Sequence, residues 1–230
     1  MTIGELFQLQ GPRFGPVAGG VAGAPAGGPA RELVVLLHGL GADGNDLIEL
    51  APHLARGLPH AAFVAPDAPF PCDMAPYGRQ WFSLQDRHPD TMLGGARMAA
   101  PILDGFLDQE LARHGLGDER LALIGFSQGT MMALHVALRR PRPCAQVVGF
   151  SGHLIGAEVL AEEIKSRPPV LLVHGDADEI VPVQALPAAV AALEASQVPV
   201  TAEVRPGLGH GIDPHGVALA VQALEAAFAP

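Results

Sequence analysis

Gly125-Phe126-Ser127-Gln128-Gly129 is the stretch of this chain that could do the most chemistry. A serine with glycine two residues away on each side can occupy a sharp turn between a strand and a helix, where bulkier neighbours would collide with nearby backbone. Such a turn lifts the hydroxyl clear of a sheet and presents it as a nucleophile. With 28 glycines in 230 residues, the pattern alone is weak, so the flanking residues must carry it. Leu121, Ala122, Leu123 and Ile124 come just before, a short apolar run typical of a strand buried on both faces. Met131, Met132, Ala133, Leu134, Val136, Ala137 and Leu138 come just after and predict a buried helix that stops before Pro141.

A serine hydroxyl needs a base to take its proton and return it to the leaving group. Of ten histidines, His210 is the candidate, in Pro206-Gly207-Leu208-Gly209-His210-Gly211 after the last predicted strand. His215 is its rival, although Asp213-Pro214 before it suggests an exposed or capping place at a helix start. His135 falls in the buried helix and reads as a core residue, and His38 as a structural one. The base in turn needs a carboxylate to hold its tautomer. His174-Gly175-Asp176-Ala177-Asp178-Glu179-Ile180-Val181-Pro182 offers two. Asp176 also suits an Asx-type turn bonding its own loop, and spacing does not separate it from Asp178. Nucleophile, acid and base then run along the chain in the order found in α/β-hydrolases.

Acyl transfer also requires backbone N–H groups aimed at the developing oxyanion, each worth about 2.7–4 kcal/mol to the transition state. One comes from the residue after the nucleophile, Gln128, whose backbone rather than side chain is expected to matter. The second is expected from Leu40 in His38-Gly39-Leu40-Gly41, a turn after an early strand.

The elements that must position these groups alternate along the chain. Strands are expected at 33–37, 61–65, 120–125, 146–150, 170–174 and 199–204. Helices are expected at 46–57, 92–114, 128–140, 184–196 and 215–228, with a shorter one at 156–165. Strand alternating with helix predicts the α/β class, a mostly parallel sheet covered on both faces, in one domain spanning 1–230. Several predicted strands end in polar or glycine-rich turns, which parallel topology gathers on one rim. Residues 1–10 alternate weakly and suggest an edge strand. The span 11–30, with seven glycines and four prolines, reads as a loop or loose hairpin connection.

Composition excludes several function classes. A net charge of -10 and a single lysine, Lys165, argue against nucleic acid, whose binding rests on clustered cations. Arg139, Arg140 and Arg142 form the one basic cluster and read as partners of a helix C-terminus. Two cysteines, Cys72 and Cys144, without a C-x-x-C, suggest a reducing compartment. No basic-then-apolar leader and no run of about 18 apolar residues is present. The expectation is therefore an unexported, cytoplasmic protein without integral membrane association, with a homodimer as one assembly it could adopt.

H-G-L-G-A-D-G-N-D-L at 38–47, G-R-Q-W-F-S-L at 78–84, G-F-S-Q-G-T at 125–130, F-S-G at 150–152, H-G-D-A-D-E-I-V-P at 174–182 and G-H at 209–210 together resemble the phospholipase/carboxylesterase family. These are small α/β-hydrolases without a cap domain that include acyl-protein thioesterases, and the first segment resembles their bacterial carboxylesterase branch. The resemblance implies Asp178 rather than Asp176 as the acid, and Leu40 and Gln128 as oxyanion donors. It implies no metal and no cofactor. It implies a small-molecule acyl ester of short or medium chain as substrate, hydrolysed through an acyl-enzyme on Ser127. A thioesterase or lysophospholipase is the alternative, and a binding protein that keeps the fold without chemistry is the rival from another class. Phe70, Met74, Tyr77, Trp81 and Phe82 share a long loop after the second strand, and long loops are often binding elements. Trp81, Phe82 and Met74 are accordingly expected at the acyl pocket, against the plainer option that Trp81 and Phe82 fill the core beneath the loop.

Overall fold

A computed structural model describes residues 8–16 and 28–229; the weak alternation at 1–10 falls almost wholly outside them. The strands are β1 (Arg13–Phe14), β2 (Glu32–Leu37), β3 (Ala61–Val64), β4 (Phe70–Pro71), β5 (Arg79–Gln80), β6 (Leu121–Phe126), β7 (Gln146–Phe150), β8 (Val170–Gly175) and β9 (Val200–Arg205). The helices are α1 (Gly44–Ile48), α2 (Ala51–Leu54), α3 (Pro89–His114), α4 (Gln128–Ala137), α5 (Leu160–Glu163), α6 (Ala185–Ala195) and α7 (Pro214–Phe228).

Seven strands form one sheet in the order β1-β3-β2-β6-β7-β8-β9, parallel throughout except for β1 against β3. Continuous apolar runs make the central strands, since both faces are covered and every side chain is inside. Leu33, Val35 and Leu37 of β2 join the core under α3, α4 and α6. Val34 and Leu36 join a second core under α1, α2 and α7. From β2 the chain moves one way to β3 and then returns to place β6 on the other side. That reversal opens a crevice at the carboxyl ends of β2 and β6, where register sets Leu37 beside Gly125.

Several details depart from the sequence expectations. The helix expected at 46–57 is two short pieces, because Pro52 in the first turn of α2 has no N–H with which to continue α1. Helix α3 starts at Pro89, three residues earlier than expected, with proline in its first turn, where a missing donor costs nothing. The glycine-rich span read as a loop contains β1, which covers the outer edge of β3. The small antiparallel pair β4 and β5 lies inside the long loop after β3. The arginine cluster does more than neutralise a helix end. Arg139 Nη1 does donate to the His135 carbonyl (3.1 Å). Buried Arg140, however, is ringed by Asp104, Asp108 and Asp118, and Arg142 also binds Asp118. This tethers the turn after α4 to α3 and to the turn before β6.

His135 is buried on α4. Burial, aided by the Arg139 charge, drives its imidazole down to about 4 from the ordinary 6.5. The unfolded chain takes up a proton near 6.5 while the folded chain resists until about 4, so stability is full above that window and falls as pH drops through it. The shift amounts to about 3 kcal/mol at the acid end. His135→Leu should flatten the denaturation midpoint between pH 6.5 and 4 relative to the parent; parallel pH profiles for the two proteins would contradict this.

Candidate active site

The elbow is built by backbone contacts that only glycine permits. A Cβ on Gly129 would lie 1.8 Å from the Leu37 carbonyl oxygen, so α4 can start directly against β2 only without one. Between the two glycines Ser127 adopts φ 52°, ψ -116°, a conformation costing a non-glycine residue about 1–3 kcal/mol. Its N–H donates to the Phe150 carbonyl of β7 (2.9 Å), which pins the turn to the sheet.

Asp178 follows β8 and is buried. Its Oδ1 accepts from the N–H groups of Ile180 and Val181, both at 2.9 Å, and its Oδ2 accepts from His210 Nδ1 at 2.8 Å. Burial works against ionisation, but the His210 bond and the two amides outweigh it and hold the carboxyl below the usual range. With Nδ1 donating, His210 keeps Nε2 for other work. The His210 ring packs on Phe126 with centroids 4.9 Å apart. Asp176 takes a different place: its Oδ1 accepts from Gly207 N–H (2.6 Å), in the loop carrying His210 rather than in its own. His215 is exposed in the first turn of α7, which Asp213 caps through Gly216 N–H.

The turn after β2 is held from two sides. Ala42 N–H to the Gly39 carbonyl closes it (3.3 Å), with Gly41 at φ 81°. Gly41 N–H donates to the Arg79 carbonyl (2.9 Å), and Arg79 N–H donates to the Ala42 carbonyl (2.8 Å). Gly78 lies so close to Gly41 that a Cβ would meet its carbonyl oxygen at 1.9 Å. His38 is fully buried, with Nδ1 on the Gly39 carbonyl (2.7 Å) and Nε2 accepting from Ala68 N–H (2.9 Å). Burial lowers its pKa, consistent with a neutral ring that fixes backbone. Leu40 stands between these anchored neighbours at the wall of the cavity.

Gln128 joins this turn to the elbow. Its side chain is wholly buried, with Oε1 accepting from Trp81 N–H (2.9 Å) and Nε2 donating to the Phe82 carbonyl (2.8 Å). The expectation that only its backbone matters is therefore corrected. The backbone N–H opens α4, where amides have no intrahelical acceptor, and the side chain braces residues 81 and 82.

One cavity of about 410 Å³ gathers Ser127, His210, Gly39, Leu40, Phe126 and His153. Leu84, Arg87, Met92, Met131, Ile180, Val181, Pro182 and Ala185 complete its wall. Trp81, Phe82 and Met74 do not reach it, which overturns their placement at the acyl pocket. Trp81 is fully buried, its indole Nε1 donating to the His38 carbonyl (3.0 Å), and Phe82 packs beside it in the core. Met74 is half-exposed and not among the residues lining the cavity. An aromatic in a long loop has the same sequence signature whether it packs down or faces a ligand. The true wall residues were legible only in part: Ile180-Val181-Pro182 ends the acid motif, and Met131 lies one helical turn beyond Ser127. His153, lowered in pKa by burial, follows the F-S-G segment. Arg87 and Met92 carry no motif.

A serine, an imidazole paired to a buried carboxylate, and backbone amides around one apolar cavity can together perform acyl transfer. Comparison with known proteins agrees with that chemistry. The phospholipase/carboxylesterase family profile matches residues 23–227. Esterase YpfH of Escherichia coli strain K12 is 30% identical over 195 residues, covering 85% of this chain and 82% of its own. Acyl-protein thioesterase 1 of Kluyveromyces lactis is 30% identical over 167 residues, covering 67% of this chain and 73% of its own. The crystal structure of esterase PE8 superposes with a TM-score of 0.87 at 40% identity, over 96% of this chain and all of that one.

Gln128→Ala should leave the Trp81 N–H and the Phe82 carbonyl buried without partners, at about 1–3 kcal/mol each. Urea denaturation should show a loss of about 2–6 kcal/mol; an unchanged midpoint would mean the brace carries no stability.

Proposed function

The chain belongs to the phospholipase/carboxylesterase family, and from that premise we propose that it is a serine carboxylesterase for short- to medium-chain acyl esters, with Ser127, His210 and Asp178 as nucleophile, base and acid. The observation that carries this reading is the 2.8 Å bond from His210 Nδ1 to Asp178 Oδ2, made by a histidine lining the same cavity as Ser127.

In this mechanism Ser127 Oγ attacks the ester carbonyl while His210 Nε2 takes the hydroxyl proton. The tetrahedral oxyanion is met by the N–H groups of Leu40 and Gln128. His210 returns the proton to the departing alcohol, leaving the acyl group on Ser127. Water, deprotonated by His210, attacks this ester in turn; the acid leaves and Ser127 recovers its proton. Asp178 stays ionised throughout and stabilises the imidazolium, as in other triads. No step calls for a metal or cofactor.

A thioesterase or lysophospholipase activity is the second reading, favoured by the similarity to acyl-protein thioesterase 1. A chain-length series of matched esters and thioesters separates the two. The proposal extends to one domain over 1–230 and to a cytoplasmic setting, which the two free thiols suit. No helix among the described residues is long and apolar enough to cross a membrane. A homodimer is also part of it, for which sheet-edge strand β9 offers the exposed Val204.

Ser127→Ala should lower kcat on p-nitrophenyl butyrate on the order of a million-fold with circular dichroism unchanged, and the parent should take up one fluorophosphonate per chain at Ser127. Full turnover by the variant sinks the nucleophile; a parent that neither labels nor hydrolyses esters is instead a binding protein on this fold.

A further inference from the structure

Among the described residues Arg87 is the one strong cation in the cavity wall, and the hydrolytic reading gives it nothing to do. It is exposed in the loop before α3 and lines the same cavity as Leu84 and Met92. Most arginines of this acidic chain are spoken for: Arg13, Arg97, Arg113, Arg120, Arg139, Arg140, Arg142 and Arg205 pair with carboxylates. Among the described residues Arg87 has no such partner. The carboxylates adjacent in sequence are engaged elsewhere. Asp86 accepts from His88 N–H (2.9 Å) and Thr91 Oγ1 (2.7 Å), and Asp90 lies 3.7 Å from His88 Nδ1.

Among the described residues no carboxylate lines the cavity, and apart from Arg87, Ser127, His153 and His210 its side chains are apolar. Burial lowers the pKa of His153, leaving Arg87 as the fixed charge there. A guanidinium presents a planar fork that fits a carboxylate or phosphate bidentately. Against apolar walls the pairing is screened less than on open surface. A chain of net charge -10 repels anions at long range, so an unpaired cation at the cleft acts against the field of the rest of the molecule.

We propose that Arg87 is a specificity-determining residue that makes the cleft favour esters carrying a second, anionic group, a carboxylate or phosphate set apart from the scissile bond. This rests on the esterase reading above. Monoesters of dicarboxylic acids carry that charge on the acyl side; acylated hydroxybenzoates and hydroxyphenyl phosphates carry it on the alcohol side.

The test compares the parent with Arg87→Gln and Arg87→Lys on two matched sets. The acyl-side pair is p-nitrophenyl hemiglutarate and p-nitrophenyl pentanoate. The alcohol-side set is 4-(butanoyloxy)benzoate, 4-(butanoyloxy)phenyl phosphate and phenyl butanoate. The ratio of kcat/KM for charged over neutral ester should fall about 5-fold in Arg87→Gln for at least one set, chiefly through KM. It should recover in part in Arg87→Lys, and the parent's ratio should shrink as NaCl is raised. The set that responds identifies which side carries the charge. A ratio unchanged in Arg87→Gln for both sets, or insensitive to salt in the parent, overturns the inference while neutral-ester turnover leaves the esterase reading standing. Absence of turnover of every ester by the parent overturns both.

Discussion

Gln128 does two things at once, and the site depends on their being inseparable. Its backbone begins the helix at the elbow, while its buried side-chain amide holds the backbone of Trp81 and Phe82. A primary amide removed from water costs several kcal/mol unless both of its ends are bonded, and here both are. Two residues earlier, Arg79 pairs in both directions with the turn after β2. Four hydrogen bonds thus connect the Gln128 and Leu40 segments outside the main sheet. Electrostatic stabilisation of an oxyanion depends on donors that do not reorganise as charge appears, and this linkage gives the proposed donors, Leu40 and Gln128, a physical source of that rigidity.

Two charge networks centred on buried groups are built differently. Around Arg140 three aspartates converge on one guanidinium, and the aim is cohesion between α3, the turn after α4 and the approach to β6. Around Asp178 a single carboxylate is shared out: two amides take one oxygen and His210 takes the other. His174 comes within 3.4 Å of that second oxygen but gives its Nε2 to the Val181 carbonyl at 2.9 Å. The carboxylate is therefore satisfied in the folded state, with one of its partners being the ring it must orient.

How much of this could be read beforehand follows from what each feature needs. The central strands were legible because a strand covered on both faces must be apolar at every position, as Leu33 to Leu37 and Leu121 to Ile124 are. The elbow at Ser127 and the loop carrying His210 were legible because their constraints are local: glycines at an elbow, a glycine-flanked loop after the last strand. Between Asp176 and Asp178 the residues alone did not decide, since both follow β8 and only the path of the turn shows which carboxylate faces the imidazole. Trp81 was misplaced because its burial depends on the His38 carbonyl, 43 positions earlier. β1 was hidden in glycine-rich sequence for a related reason. Gly11 and Gly15 there lie against the carbonyls of Ala65 and Ala61, where a Cβ would come within 2.0 and 2.5 Å. Those glycines permit close packing, whereas composition alone suggested an absence of structure.

Ser127 occupies a backbone conformation that glycine would adopt without strain. Selection for thermal endurance alone would favour glycine there, since the turn would survive and the strain would vanish. With Ser127 as the proposed nucleophile, a lineage that retains serine gives up a little stability in every copy of the protein for the sake of one hydroxyl. The elbow is thus a place where durability and turnover pull in opposite directions, and a collection of variants chosen only for heat resistance would be expected to drift toward inactivity at this position first.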